Sequence, residues 1–292
     1  MRLLAFLLFL VLFLAGGCAA AVYFWLRPPL DDHPLAADPA TLEAGRYLAA
    51  LGGCAGCHTA PGGAPFAGGR RVEGPLGTRV SANITPDPAS GIGGMSSAAF
   101  YGALAYGAPD YLHPLYPAMP YPFLRLLTRT DSDALFAYLK SQPPVATQPP
   151  ERRPLSPRLL LYAWNAFAAS RGAFRPQPER SAAWNRGAYL VLGVMQCGRC
   201  HTPTNPLGGR IGAQALEGAQ AGRQWSPAIA PPSLAERGWT PEALERYLES
   251  GRKPDGGSTP PDVWAQKAGL AALTAADRAA VAQFLFGGAL PD

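Results

Sequence analysis

Apolar side chains form one unbroken run at the start of the chain and shorter helical stripes further along. From Leu3 to Leu26 the sequence LLAFLLFLVLFLAGGCAAAVYFWL carries no charged residue. In a helix that rises about 1.5 Å per residue, this run matches the roughly 30 Å hydrocarbon core of a bilayer. Arg2 precedes the run and Asp31 and Asp32 follow it. The positive-inside tendency therefore favours a cytoplasmic amino terminus and an exported body.

We predict from this run that residues 1–30 form an N-terminal transmembrane helix that anchors the protein. Two alternatives stay open: a signal peptide cleaved near residues 19–21, and a lipoprotein signal in which Cys18 is the acylated residue. All three interpretations carry the body across the membrane. The predicted location is the bacterial inner membrane, with the body in the periplasm.

The rest of the chain contains an internal duplication. The matched pairs are GRYLAALGGCAGCH (45–58) with GAYLVLGVMQCGRCH (187–201), MSSAAFYGALAYG (95–107) with WTPEALERYLESG (239–251), and LTRTDSDALFAYL (127–139) with LTAADRAAVAQFL (273–285). The first pair needs one inserted residue, and the other two need none. Recurrence in the same order at an offset of about 145 residues indicates a duplicated domain rather than a short solenoid repeat.

Each recurring segment has the apolar spacing of a helix. Asp38 and Pro39 precede the first segment and have the pattern of an N-cap followed by proline at the first helical position. Thr128 and Thr130 are candidate N-caps of the third segment. The Gly- and Pro-rich connections show little of the alternating pattern that strands require. The predicted fold class is therefore all-α.

Two five-residue motifs, CAGCH (54–58) and CGRCH (197–201), contain four of the five cysteines and two of the four histidines. Cysteines at positions i and i+3 of a helical turn lie on one side. Such a pair can bind zinc, form a redox disulfide or attach a haem. The two pairs lie about 140 residues apart, too far for an ordinary zinc site, and a thioredoxin-like motif needs a βαβ context that is not visible. A histidine directly after the second cysteine is the attachment signature of c-type haem.

The two motifs predict two covalently bound haem c groups, one on each copy of the duplicated domain. Two thioether bonds would hold the porphyrin edge, and the adjoining imidazole would reach the iron from the proximal side. The predicted attachment residues are Cys54, Cys57, Cys197 and Cys200, and the predicted proximal iron ligands are His58 and His201.

Met119 is the predicted distal ligand of the first iron. It lies in the proline-rich loop LYPAMPYP (115–122), just before the last helix of the first copy. A thioether is a soft ligand that favours reduced iron, and the prolines restrict the loop. His113 is a rival ligand in the same region, and an ordinary packing role for Met119 is the other interpretation.

The second copy lacks a matching ligand. Its corresponding region, 256–274, contains neither methionine nor histidine. We therefore predict that the second iron has an open or water-bound sixth position, or that Lys253 or Lys267 binds it.

Composition limits the remaining function classes. Only 15% of the residues are charged, whereas 33 glycines and 32 prolines indicate a compact, loop-rich chain. The net charge of +5 is spread along the chain without a basic run, which argues against nucleic-acid binding. No general base, nucleophile or substrate metal stands out, so the protein is not predicted to be an enzyme.

Three runs, 81–96 (SANITPDPASGIGGMS), 115–145 (beginning LYPAMPYPFLRLLTRTDSDALF) and 184–209 (WNRGAYLVLGVMQCGRCHTPTNPLGG), resemble the cytochrome c subunit of bacterial membrane-bound dehydrogenases. These subunits are the multihaem partners of alcohol, aldehyde and gluconate dehydrogenases. The resemblance covers nearly the whole chain after residue 37 and implies the same attachment and ligand residues, with Met119 distal. The family usually carries three haems, whereas this chain has two motifs. The family's second distal methionine would fall near Asp262.

The predicted organisation is two tandem cytochrome c-type domains, 37–146 and 181–292, separated by a Pro-rich linker and packing segment at 147–180. The predicted function is electron transfer from a periplasmic dehydrogenase to the respiratory chain, with a quinone or an oxidase as acceptor. The alternative is a haem enzyme, or a sensor of gas or peroxide, that uses the open sixth position on the second haem.

Overall fold

The computed structural model describes residues 2–26, 31–74, 77–109, 114–147, 161, 172–205, 209, 212–221, 224–259 and 268–288. Most of the predicted linker lies outside these residues, and so do His113, Asp262 and Lys267.

Helices account for most of the regular structure. The α-helices are α1 (Arg2–Leu26), α2 (Pro39–Leu51), α3 (Cys54–His58), α4 (Ser97–Tyr106), α5 (Tyr121–Leu124), α6 (Arg129–Lys140), α7 (Ala182–Tyr189), α8 (Gly198–His201), α9 (Ser233–Glu236), α10 (Pro241–Ser250) and α11 (Ala275–Phe286). A π-helical turn (Leu190–Val194) continues α7, and short 3-10 turns cover Gly212–Gln214 and Ala268–Ala272. We call α2–α6 the first repeat and α7–α11 the second repeat.

The prediction for the N-terminal helix requires a correction. Within the described part of the chain, no helix is both long enough and apolar enough to cross a membrane. The structure therefore does not support the predicted N-terminal transmembrane helix over residues 1–30. We correct that prediction, together with the membrane anchoring that was based on it.

The all-α prediction also missed two short hairpins. Strands β1 (Arg71–Gly74) and β2 (Gly77–Val80) pair antiparallel in the first repeat, and β3 (Ala219–Ala221) and β4 (Gln224–Ser226) pair antiparallel in the second. Each strand has only three or four residues, so an alternating pattern has little length over which to show. The hairpins follow the haem motifs at matching places in the two repeats.

Side-chain caps fix where several helices begin. The Asp38 carboxylate accepts hydrogen bonds from the backbone N–H groups of Ala40 and Thr41 at 3.0 and 3.1 Å. Thr128 caps α6, and Thr274 caps α11 in the same way. The predicted caps at Asp38 and Thr128 are confirmed.

In each repeat the first and last helices cross in contact, and a glycine lies at the crossing. A Cβ placed on Gly45 of α2 would lie 2.0 Å from the carbonyl oxygen of Ala134 in α6. A Cβ placed on Gly187 of α7 would lie 2.0 Å from the carbonyl oxygen of Ala280 in α11. Since real Cβ atoms do not approach an oxygen so closely, only glycine permits this backbone separation.

The two repeats share a hydrophobic core. Among the described residues, buried apolar side chains form a continuous cluster that includes Leu48 and Leu135 of the first repeat and Trp184 and Phe284 of the second. The repeats are therefore packed against each other by burial of apolar surface, in addition to their polar contacts.

Two reciprocal Tyr–Asp pairs join the repeats. The Tyr47 hydroxyl donates to Asp277 Oδ2 at 2.7 Å, and the Tyr189 hydroxyl donates to Asp131. Tyr47 and Tyr189 occupy matching positions on the first helices, while Asp131 and Asp277 occupy matching positions in the first turns of the last helices. The interface thus has approximate twofold symmetry. Arg186 strengthens one pair through two 2.8 Å bonds to Asp277.

The segment before α2 is held against the first repeat by polar contacts. The Asp32 carboxylate accepts a 2.7 Å bond from the Ser97 hydroxyl at the start of α4. The His33 Nε2 atom lies 2.8 Å from the Asp133 carboxylate of α6, and Arg129 also pairs with Asp133. His33 thus takes part in a hydrogen-bonded network that its sequence context did not indicate.

We predict that Asp277→Asn destabilises the protein by about 1–3 kcal/mol at neutral pH, because a charge-assisted network at the interface is lost. Burial alone raises the pKa of Asp277, but bonds from Arg186 and Tyr47 outweigh burial and lower the pKa below its ordinary value of 3.8. This stabilisation is complete above that value and is lost as the pH falls through the lower folded-state pKa. Urea unfolding at several pH values should therefore show the difference between the two proteins shrinking in acid.

The matched control is Glu43→Gln. Glu43 forms its ion pair with Arg46 on the surface, where the two side chains are 62% and 54% exposed. Exposed pairs of this kind contribute little. Equal effects of the two substitutions would contradict the role assigned to the interface.

Candidate haem sites

The first five-residue motif forms α3, a short helix of its own. Gly53 precedes it with φ 66°, a left-handed conformation that favours glycine and turns the chain sharply after α2. Cys54 and His58 both line an apolar cavity. The remaining lining residues are Leu48, Gly52, Ile84, Phe100, Leu104, Met119, Leu124, Leu127, Leu135, Leu139 and Val194.

The structure thus brings together three of the predicted site residues of the first repeat. Cys54, His58 and Met119 are distant in sequence but face one cavity. Cys57 is partly exposed one turn further along α3.

His58 is oriented by a backbone contact. Its Nδ1 atom lies 2.8 Å from the carbonyl oxygen of Ala82, and since that oxygen only accepts, Nδ1 carries the proton. Nε2 is therefore left with a lone pair for a metal. Burial lowers the pKa of His58, and the bond to Ala82 opposes this only in part. The imidazole is thus neutral near pH 7, the form that binds iron.

The Cys54 thiol lies in the same apolar surroundings. Burial, together with the neighbouring Cys57 thiol, raises the pKa of Cys54 to about 12. Cys54 is a neutral thiol in the free chain, and in a haem-bound chain the same sulfur atom would be a thioether. Neither species carries a charge into the cavity, which keeps the cost of burial low.

The Met119 loop is held in place by the first hairpin. The Arg79 guanidinium lies over the Tyr116 ring, 3.7 Å from its centroid. A Cβ on Gly74 would lie 2.8 Å from the Cα of Ala118, so the hairpin and loop backbones are in contact. The Met119 N–H donates to the Tyr116 carbonyl at 3.0 Å, which closes the turn.

The second motif repeats the histidine geometry of the first. His201 at the end of α8 is 8% exposed, and its Nδ1 lies 2.6 Å from the carbonyl oxygen of Pro227. Nε2 is again left for a metal. Cys197 packs against the core, and Cys200 is partly buried.

A threonine follows each motif and supports the same turn in both repeats. The Thr59 hydroxyl accepts a 3.1 Å bond from the Phe66 N–H, and the Thr202 hydroxyl accepts a 3.0 Å bond from the Leu216 N–H. Phe66 and Leu216 both have positive φ, at 61° and 63°.

A glycine after this turn then bonds back to the histidine. The Gly68 N–H donates to the His58 carbonyl at 2.7 Å, and the Gly218 N–H donates to the His201 carbonyl at 2.8 Å. The threonine, the left-handed residue and the glycine together place the chain that supplies the carbonyl beside each imidazole.

The distal side of the second site is described only in part. Lys253 lies on an exposed turn, where its backbone N–H donates to the Gly257 carbonyl. Lys267 and the position of the expected methionine near Asp262 fall outside the described residues. The ligand predicted for this position stays a prediction.

The first cavity has the donor set that a c-type haem needs. The Cys54 thiol, an imidazole with Nε2 unprotonated and a soft thioether meet at walls that are otherwise apolar, and Cys57 lies one turn along the same helix. Apolar walls suit a porphyrin face, and the sulfur and nitrogen donors suit iron. The residues present fit the group.

Sequence reasoning missed two contributions to the sites. Val194 of the second repeat lines the first cavity, which no local pattern indicated. The supporting threonines Thr59 and Thr202 were also missed, although both motifs read CHT and that repetition could have marked them.

Several curated proteins are similar to this chain over most of its length. A nicotinate dehydrogenase subunit from Pseudomonas putida is 41% identical over 250 residues, which are 84% of this chain and 21% of that protein. The cytochrome c subunit of alcohol dehydrogenase (quinone) of Komagataeibacter europaeus is 38% identical over 229 residues, 74% of this chain and 49% of that protein.

A diheme cytochrome c-type protein of Cereibacter sphaeroides is 34% identical over 285 residues, 91% of this chain and 93% of that protein. The chain belongs to this cytochrome c family. The suspected membership is confirmed, because the relatives include cytochrome c subunits of alcohol and gluconate dehydrogenases. No family model matches the chain. This cytochrome spans about a fifth of the first relative above and about half of the second.

We predict that Gly68→Ala disturbs the support of His58 in this cytochrome. A Cβ at Gly68, where φ is 77°, would lie 2.6 Å from the backbone of Ala82 and Asn83, which carries the carbonyl beside His58. The expected loss in the free energy of unfolding is about 2–4 kcal/mol, because the clash adds to the cost of positive φ. Chemical unfolding and the visible haem spectrum would measure the change.

Gly62→Ala is the matched control, since Gly62 has φ 70° but open space around it. It should cost about 1 kcal/mol and leave the spectrum unchanged. The prediction fails if the two variants behave alike.

Proposed function

We propose that the protein is a dihaem c-type cytochrome that carries electrons from a partner dehydrogenase to the respiratory chain. The observation that supports this most strongly is the meeting of Cys54, His58 and Met119 in one apolar cavity. The second repeat reproduces the histidine-to-carbonyl bond at His201. This repetition supports a haem in each repeat.

The chain's own residues would hold the two haems and set their surroundings. Cys54 and Cys57 would attach one haem and Cys197 and Cys200 the other. His58 and His201 would supply proximal nitrogens from Nε2, and Met119 would supply a distal sulfur. Bound haem supplies reversible one-electron chemistry, and the protein supplies position and surroundings.

The two sites would differ in reduction potential. Met119 and the apolar lining of the first cavity both favour reduced iron, because neither a thioether nor an apolar wall stabilises the extra positive charge of the oxidised state. The described part of the second site contains no methionine at the corresponding place. We therefore expect the first haem to have the higher potential and to accept electrons from the second.

The names of the relatives guide the choice of partner. Those names describe cytochrome subunits of alcohol, gluconate and fructose dehydrogenases, and this chain would serve such an enzyme as its electron acceptor. The next acceptor would be a quinone or an oxidase. Covalent attachment keeps the cofactor on an exported protein, so we place the reaction in the periplasm. The catalytic step would belong to the partner dehydrogenase.

We predict that Met119→Leu lowers the potential of one haem and opens its sixth position. The shift should be on the order of 100 mV, a fraction of the roughly 0.8 V over which axial ligands set haem potentials. In the unmodified protein, carbon monoxide should change the reduced spectrum of the second haem alone. In the variant, both haems should respond. Redox titration and difference spectra would record these changes.

Met95→Leu is the matched control, because Met95 packs against the core away from the cavity. It should leave both measurements unchanged. A Met119→Leu protein with unchanged potential would overturn the ligand role. Failure of carbon monoxide to bind the unmodified protein would contradict an open second site, and rapid peroxide turnover would contradict a pure electron carrier.

A further inference from the structure

The two haem motifs are not reached in the same way along the chain. In the first repeat α2 ends at Leu51, and Gly52 and Gly53 lead into Cys54. The second repeat has one more residue between the matching positions, and a π-helical turn at Leu190–Val194 takes it up. π turns of this kind accommodate single insertions and occur often at functional sites.

At the π turn, the second repeat packs against the first. A Cβ at Gly193 would lie 3.1 Å from the Cβ of Leu126, so the two backbones are close together there. Val194 is 1% exposed and forms part of the wall of the first cavity. The extra residue therefore lies where the second repeat meets the first haem site.

Gln196, directly before Cys197, makes a polar contact at the same place. Its side-chain amide donates to the Gly52 carbonyl at 3.2 Å, two residues before Cys54. The residue is 8% exposed, so little water competes for this bond. The chain segments that enter the two motifs are thus hydrogen-bonded to each other.

The backbone of Gln196 has an unusual conformation for a residue with a Cβ. Gln196 has φ 55°, and Gly53 has φ 66° at the matching position of the first repeat. This conformation is disfavoured for every residue with a Cβ other than asparagine and aspartate. A residue kept in such a conformation points to a role for its side chain.

A second contact connects the second motif with the first repeat. Gly198 lies between Cys197 and Cys200, and a Cβ there would lie 3.0 Å from the ring of Phe123 in the first repeat. Phe123 follows the Met119 loop within α5. The second motif therefore touches the first repeat on both sides of Cys197.

We propose that Gln196 is a positioning residue that holds the second haem motif against the first and thereby sets the electron transfer between the two haems. This rests on the proposed dihaem function. The step moves one electron from a ferrous to a ferric haem and makes or breaks no bond. Its rate depends on how closely and firmly the two sites are held, which is what the bond to Gly52 controls.

The test uses the full-length protein with both haems attached and begins by counting haems chemically. Gln196→Asn tolerates the left-handed conformation but is one methylene too short to keep the bond. Gln196→Gly relaxes the backbone and removes the side chain. Gln283→Asn is the control. Gln283 lies on the exposed face of α11, and its side-chain amide donates to the Ser181 hydroxyl in a solvent-exposed hydrogen bond.

Two readouts are expected to change in both Gln196 variants. Hydrogen exchange of the segment 190–201 should become about fivefold faster, the effect of losing one buried hydrogen bond. Transfer between the haems after flash reduction should slow, while both midpoint potentials stay within error of the unmodified protein. The Gln196→Gly variant should unfold at the same or higher denaturant concentration, which separates positioning from stability.

The outcomes separate this proposal from the proposed function. If the Gln196 variants carry two haems but keep the hydrogen-exchange rate and the electron-transfer rate of the unmodified protein, the role of Gln196 is overturned. The dihaem function is not affected by that result. Equal slowing in Gln283→Asn would overturn it as well. A protein that carries a single haem would overturn the dihaem function and this proposal together.

Discussion

The glycine crossing of the first and last helices is the contact on which each repeat depends. Gly45 lets α2 lie directly on the backbone of α6, and Gly187 does the same for α7 and α11. Two helices this close leave no room for a layer of side chains between them. In the first repeat, α2 and α6 both contribute leucine side chains to the cavity that α3 also lines. The position of α3 follows from the crossing, because only Gly52 and Gly53 separate it from α2.

The joining of the two repeats is a second constraint. The Tyr–Asp pairs tie the first helix of each repeat to the last helix of the other. Because each pair uses matching residues, the interface has approximate twofold symmetry. The π turn breaks that symmetry on one side only. One repeat thus completes the cavity of the other through Val194.

Features of the fold and of the candidate sites that depend on local chemistry could be predicted from the sequence. Cys54, Cys57 and His58 lie within five residues, so a joint role could be predicted from the sequence. Asp38 followed by Pro39 marks a helix start by its own side-chain bonding. Met119 was predicted because prolines confine its loop. Features that depend on distant contacts were missed. The carbonyl of Ala82 carries no side-chain signal, and Val194 is an ordinary apolar residue until the repeats are packed together. The prediction for residues 1–30 used the length of the apolar run and the charges that flank it, and the structure did not support it.

The contribution of Val194 to the first cavity has a consequence for the order of assembly. The motif at 54–58 emerges early in synthesis, but its cavity lacks one wall until the chain has grown beyond residue 194. A nascent first repeat would therefore present an incomplete crevice. The first haem site matures only when the second repeat folds onto it, so the half made first is completed last.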